Sequence, residues 1–455
     1  MGRARKRSRA KAKTKAKAKR RGRQEGTQAE AKVALEAEEQ ERTLTPTLEK
    51  VILIEARAPE RRVAILEDGR LMEIFYEGPE HERLVGNIYL GVVRDVLSGL
   101  GSAFVDVGEE QNLFLSQKEL NDAILAEHGY RRGEEFPIGK VLRPGQRLIV
   151  QIKREGISSK NPQGTTRIAL PGRFWVFLPK DGRLGISRRI EDPEEIARLK
   201  EIAHELKRPH EGLIARTAAH WASRQDLERD FNFLLGTWKG IEEEAARGRA
   251  PRLLYEGLDL VRRTIRDWLL PDVSRVIVDS EAVYNEIMDF LDYMWMRDYR
   301  DKIELYRGKR PLFAQWDVER QLRESLEREV KLKAGGTLVI EETEALTAID
   351  VNTRGDVRHR NQEAAILNTN LEAAREIPRQ LRLRKISGII VIDFIDMKSR
   401  EDMQKVIEVL KEELRKDRTT ADFIDVTGLG LVEITRKREG KSLSEMLEDE
   451  NGNSD

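Results

Sequence analysis

An α+β protein of several domains is the architecture this chain predicts, and three observations carry the prediction. Its 455 residues leave room for about three domains of ordinary size. Residues 51–178 break into short β-type runs punctuated by glycines, among them Gly99, Gly101 and Gly108, a rhythm that fits a small barrel better than an open α/β sheet. From about residue 192 onward, helical stretches alternate with apolar strands.

Composition removes several function classes. Apolar residues make up 39% of the chain and charged residues 36%, so real cores must sit beneath a very polar surface. No run approaches the ~18 apolar residues of a membrane helix, which excludes an integral membrane protein. There is no cysteine, hence no disulfide scaffold, thiol nucleophile, iron–sulfur cluster or cysteine-ligated zinc. Six histidines leave little for a histidine-rich metal site. No positive-then-apolar leader is visible, and a cytoplasmic protein is expected.

In chain order, residues 1–23 carry 13 Lys/Arg and no acidic residue. Like charges repel and no apolar face exists to be buried, so this tract reads as a disordered arm, able to release counterions on nucleic acid or to act as a solubilising or targeting tail. Lys6 stands where a myristoylation signal needs Ser or Thr. Residues 24–43 are rich in Glu, Ala and Gln and read as a solvated helix. Strands are expected at Val51–Glu55, Arg62–Leu66 and Arg70–Tyr76, with a turn at Glu67-Asp68-Gly69. More follow at Asn87–Val96, Gly101–Val107 and Val141–Lys153, then a hairpin-like pair at Thr165–Ala169 and Arg173–Leu178. Residues 192–248 read as mostly helical, opening at Pro193 with two Glu in the first turn. A helix over Leu253–Leu269 and a β-run at Val273–Val278 come next. The last unit has strands at Thr337–Glu341, Leu346–Val351, Gly388–Phe394 and Leu431–Thr435, with helices over 361–384 and 400–416.

Three groups of residues could carry chemistry. LTAIDVNTRG (346–355) is an alternating strand that ends in Asp350 and Asn352; GIIVIDFIDM (388–397) is an apolar strand interrupted by Asp393 and Asp396. A carboxylate in an apolar strand needs a partner, a cation or a place at the strand end. Adjacent strands would bring Asp350 and Asp393 together, and two carboxylates with an amide oxygen suit a hard cation such as Mg2+; capping or pairing with arginines is the alternative. In the barrel region, Phe104 and Phe114 with Lys153 and Lys160 downstream could offer stacking faces and charge to unpaired bases, or the two rings could simply be core. Arg188, and the pair Arg216-Thr217, could hold a terminal phosphate or form surface ion pairs.

Read together, these strings resemble the catalytic region of the bacterial ribonuclease E/ribonuclease G family. NIYLG, AFVDVG, GISRRI, GLIARTA, TEALTAIDVNTRG, NTNLEAAREI, RQLRLR and GIIVIDFIDM occur in the family's order from about Val51 to Arg438. The resemblance implies a ribonuclease H-like domain (48–82 and 262–325) interrupted by an OB-type RNA-binding barrel (83–166) and a 5′-monophosphate sensor region (167–261). A DNase I-like catalytic domain (326–438) follows, with an extension at 1–47 and an acidic tail at 439–455. It implies an Mg2+-dependent endoribonuclease, with Mn2+ able to substitute, that cuts single-stranded A/U-rich RNA to leave 5′-phosphate ends in RNA decay or ribosomal RNA processing. Asp350 and Asp393 would bind the metal and Asn352 orient them. Phe104, Phe114, Lys153 and Lys160 would line the RNA channel, and Gly172, Val176, Arg188, Arg216 and Thr217 the 5′-phosphate pocket.

Three departures qualify the resemblance. The family's zinc-sharing CPxCxGTG segment has no counterpart, since GKSLSEMLEDE follows without a cysteine. No structural zinc is expected, and any homo-oligomer must form on other surfaces. Pro378 lies within the helix leading to RQLRLR, where it removes a hydrogen bond and threatens a kink. The 455 residues do not include the long partner-recruiting scaffold of ribonuclease E, and a ribonuclease G-like length is expected. The competing reading is a non-catalytic RNA-binding protein on the same fold; it should have lost Asp350, Asn352 or Asp393, and all three are present.

Overall fold

A computed structural model describes residues 49–446, apart from 58–59, 79–83, 155, 157–160, 354–361, 439 and 441. The basic arm, the acidic stretch after it, Lys160 and the end of the tail fall outside the described residues. Among the described residues no helix is long and apolar enough to cross a membrane.

The first three strands, Lys50–Glu55, Arg61–Glu67 and Arg70–Glu77, fold as the sequence predicts. Asp68 and Gly69 both have positive φ, 49° and 73°, the signature of a tight turn that suits the twist of a hairpin. The rest of this sheet comes from far along the chain. Lys50–Glu55 takes Val273–Val278 as a parallel neighbour, with Ile52 opposite Val276, and Ile303–Leu305 completes the order. Both faces are covered. Ile52, Ile54, Val63 and Ile65 pack against helices Leu260–Trp268 and Glu281–Tyr293, while Val51, Leu53, Ala64 and Leu66 meet Leu312, Phe313 and Val318.

Between these two sources of the sheet lies a closed barrel. Ile88–Leu97, Ser102–Asp106, Leu113–Ser116, Gln163–Thr165 and Arg147–Arg154 follow one another, and the last returns to pair with the first. Closure leaves no edge among the five. Beside it, Leu184–Ile186, Gly212–Ala215, Trp175–Leu178 and Leu170–Pro171 form a small sheet, backed by helices Pro193–Leu206 and Arg224–Arg247 through Phe177, Leu199, Leu213 and Phe231. Asp192 caps the first helix by accepting from the Glu194 N–H at 2.9 Å, with Pro193 in the first turn.

Three expectations need correction here. The expected helix over Leu253–Leu269 is a strand, Arg252–Tyr255, joined to the barrel, and then a shorter helix that starts after its Asp259 cap. Thr165–Ala169 and Arg173–Leu178 are not a hairpin. Gln163–Thr165 belongs to the barrel, and Trp175–Leu178 pairs instead with Leu170–Pro171 and Gly212–Ala215, the latter a strand inside the stretch read as mostly helical. The strand expected from Val141 begins only at Arg147, because Pro144 and Gly145 (φ 83°) turn the chain first. Helix Gln362–Leu383 runs unbroken through a buried Pro378.

The last sheet has the strand order Glu329–Lys331, Thr337–Glu342, Thr347–Asn352, Gly388–Asp393, Val432–Arg436, Ala421–Val426. Helices Gln362–Leu383 and Arg400–Arg415 cover one face through Ala373, Ile377, Val406 and Leu410. The RQLRLR segment binds this unit to the first sheet: the buried Glu376 carboxylate accepts from Arg379 at 2.8 Å and from Arg70 at 2.6 Å, and Arg379 also donates to the Leu71 carbonyl at 2.6 Å.

Glu73 lies at the same junction. Burial pushes its carboxyl up to about 7, against the pull of Arg382, Arg418 and Arg436 and with the help of Asp417. The unfolded chain therefore releases this proton at lower pH than the folded one, and Glu73 withdraws stability as pH rises from about 4.5 to 7. Glu73→Gln is expected to be more stable than the parent at pH 8, with the gap closing toward pH 4.5, as read from denaturant midpoints across that range; equal midpoints at pH 8 would show that the ionised carboxylate is fully compensated.

Candidate active site

Strands Thr347–Asn352 and Gly388–Asp393 run parallel, and their register sets Asp350 directly opposite Asp393. In the first strand the alternation is clean: Thr347, Ile349 and Val351 are buried, Ala348, Asp350 and Asn352 exposed. The second is apolar on both faces in sequence but not in burial. Ile390 and Ile392 lie under the helices, whereas Asp393 shares the opposite, open face with Ile389, which is 53% exposed. The acids thus sit on the solvent side at the ends of both strands, where water carries part of the cost of their charge.

Neighbouring strands are spaced about 4.8 Å apart, so the two carboxylates can reach a common ion. The Asn352 amide donates to Asp350 Oδ2 at 2.6 Å, which orients that carboxylate and leaves the amide oxygen on the same open face. The donor set is all oxygen. Among the described residues no cluster of three or more His, Cys, Asp or Glu side chains forms a metal cage. Two carboxylates suit a cation that keeps most of its shell as water or phosphate oxygen, which is how Mg2+ is commonly held.

Asn370 escaped the sequence reading. It is fully buried in helix Gln362–Leu383, donates to the Ile395 carbonyl at 2.8 Å and accepts from the Ile395 N–H at 3.1 Å. This two-way clamp fixes the chain two residues beyond Asp393. The available signal was a polar residue at the i, i+3, i+4 and i+7 spacing of Ala373, Ala374 and Ile377, on a face otherwise made for burial.

On the barrel, Phe104 and Phe114 oppose each other across two antiparallel strands, ring centres 6.0 Å apart and edge to face. Their neighbours Ala103, Val105, Leu113 and Leu115 fill the interior, which turns both half-buried rings outward. They are not core. Register continues the row through Gln163 to Arg154, an exposed residue that the sequence reading passed over for Lys153. Lys153 is tied to Glu119 at 2.5 Å. Burial works against ionisation of Glu119, yet bonds from Lys153 and Thr165 hold its carboxyl below the usual range.

The small sheet gathers the third group. Gly172 is buried, and a Cβ there would lie 2.6 Å from both Asp230 carboxylate oxygens. Only glycine admits that approach. Asp230, from helix Arg224–Arg247, accepts the N–H groups of Arg173, Phe174 and Trp175 at 2.9–3.0 Å and so shapes the turn after Gly172. Arg216 donates to the Gly172 carbonyl at 2.5 Å and to Asp267 at 2.6 Å. Burial alone would raise the Asp267 carboxyl, but Arg266 and Arg216 hold it far below the ordinary carboxylate range. The Thr217 hydroxyl meets Ser187 at 2.9 Å, and the next residue, Arg188, is 80% exposed with Asp422 of the last sheet 3.6 Å away. Val176 is half-buried, paired with Ile214 and Pro171. Gly172, Val176, Arg216 and Thr217 thus cluster on and beside one sheet. Asp230, Asp267 and Ser187 join them without having been read from the sequence.

Residues 169–439 match the model of the Ribonuclease E/G family. Ribonuclease G of Haemophilus influenzae is 38% identical over 88% of this chain and 82% of its own length, and Ribonuclease G of Escherichia coli K12 is 37% identical over 87% and 81%. Ribonuclease E of Escherichia coli K12 is 38% identical over 88% of this chain but only 38% of its own length. The shared span covers every site residue described above, and the chain belongs to the ribonuclease E/G family.

Proposed function

We propose that this chain is an Mg2+-dependent endoribonuclease of RNA decay or ribosomal RNA processing, acting in the cytoplasm on single-stranded A/U-rich RNA and favouring substrates with a 5′-monophosphate. Its relatives are named Ribonuclease G and Ribonuclease E, which supports the endoribonuclease reading. The observation that carries the chemistry is the Asp350–Asp393 register with Asn352 alongside.

Asp350 and Asp393 would hold the ion through one carboxylate each, and Asn352 keeps the first turned toward it. The chemistry such an ion supplies when bound is polarisation of a water and compensation of charge at a scissile phosphate; Mn2+ fits the same oxygen donors. The outward rings of Phe104 and Phe114 offer faces to unpaired bases, with Arg154 in register and Lys153 nearby to meet the backbone; Lys160 is assigned to the same channel. Arg216, Thr217 and Arg188 would receive the 5′-phosphate over the turn that Gly172 permits, with Val176 against the first nucleotide. A non-catalytic RNA-binding role has no need of the acid pair, and its retention in register favours the enzyme. Any homo-oligomer is proposed to form on surfaces other than a cysteine-ligated zinc link, since the sequence contains no cysteine.

Asp393→Asn is expected to lower cleavage of a short 5′-monophosphorylated RNA by roughly 100-fold or more while RNA affinity persists; undiminished cleavage with Mg2+ present would remove the metal role from this pair. Arg216→Ala should bring the rates on 5′-monophosphorylated and 5′-hydroxyl RNA closer by roughly tenfold, the scale of a charged hydrogen bond. A ratio identical to the parent's would take Arg216 out of 5′-end recognition.

A further inference from the structure

Trp221 is an anomalous side chain close in sequence to the proposed 5′-end pocket. It follows the single 3-10 turn Thr217–Ala219, four residues from Thr217. Its indole is 60% exposed and its backbone is left-handed, φ +55°, a conformation that is a real outlier for a bulky residue. The surroundings impose it. The Trp221 N–H donates at 2.7 Å to Glu195, itself fully buried; Arg198 clamps the same carboxylate at 2.6 and 2.8 Å and donates to the Ala222 carbonyl at 3.0 Å. The Arg198 guanidinium also lies 5.9 Å from the indole centre, and the His220 ring centre lies 5.8 Å from it.

Glycine would meet the backbone requirement at this position without strain. A large apolar ring kept in the left-handed region, mostly in solvent and backed by a cation, needs another reason. Trp295 shares the conformation (φ +53°) but spends its ring on Phe233, edge-on at 5.7 Å; Trp221 has no such apolar partner ring among the described residues. Exposed indoles next to arginine are stacking platforms for unpaired bases. We propose that Trp221 stacks on the base of the 5′-terminal nucleotide, making the pocket a reader of phosphate plus base; this deepens the 5′-monophosphate reading above and rests on it.

The test uses the full chain in EDTA and three otherwise identical short RNAs: 5′-monophosphorylated, 5′-monophosphorylated with an abasic first nucleotide, and 5′-hydroxyl. Affinities are measured by anisotropy for the parent, Trp221→Gly and Trp221→Phe. The parent should bind the abasic RNA roughly tenfold more weakly, equivalent to about 1.4 kcal/mol of stacking. Trp221→Gly should lose that discrimination while melting no lower than the parent, since glycine relieves the backbone, and Trp221→Phe should restore part of it. An unchanged abasic penalty in Trp221→Gly overturns the stacking role, as does a lower melting point with equal weakening for both phosphorylated RNAs. A parent that separates phosphate from hydroxyl but ignores the missing base defeats the stacking alone. A parent blind to the phosphate defeats the 5′-end reading and this inference with it.

Discussion

Everything proposed for the chemistry depends on one strand pairing. Asp350 and Asp393 meet because Thr347–Asn352 and Gly388–Asp393 run parallel in a fixed register, and a slip of a single residue would turn one carboxylate into the helix-covered face. That slip is resisted from below. Ile349, Ile390 and Ile392 are buried against Ala373, Ile377 and Val406, so misregistration would lift apolar side chains into water at roughly 1.5–3 kcal/mol each. It is resisted from the end as well, by the Asn370 clamp on Ile395. The apolar core and the polar clamp therefore serve the same coordinate, the separation of two oxygens.

The proposed 5′-end pocket follows a different logic. Its residues come from short strands and turns with little apolar periodicity of their own, and buried charge supplies the rigidity. Asp230 gathers three consecutive N–H groups, Asp267 holds Arg216, and Glu195 with Arg198 holds the Trp221 turn. Each carboxylate is satisfied by several donors, the condition under which buried charge is tolerated.

What could be read from the sequence follows the same division. TAIDVN announces its exposed and buried faces by strict alternation, and the first three strands and both helices of the last unit are legible for similar reasons. GIIVID reads as uniformly apolar because Ile389 sits on an open face, so its half-exposed nature was hidden. Leu113–Ser116 and Gln163–Thr165 are only four and three residues long, too short to show a period, although together they close the barrel. Leu253–Tyr255 blends in sequence with the following helix because Leu254, Leu258 and Leu260 carry apolar character across the junction; Asp259, which accepts from the Arg262 N–H at 2.8 Å, marks the true start. Of the candidate site, the acid pair and the arginines were visible as residue types. Asp230, Asp267 and Asn370 were not, because their importance lies in what they meet across long separations.

The first sheet carries a temporal consequence. Lys50–Glu55 is hydrogen-bonded on one side to a hairpin partner a few residues away and on the other to Val273–Val278, more than 200 positions further on. As the chain leaves the ribosome, the opening hairpin has an unfilled edge throughout the synthesis of the barrel and the small sheet. Those inserted units must settle without it. The nascent edge stays open to a wrong strand until its late partner emerges, which places the greatest hazard of misassembly in translation, before any RNA is engaged.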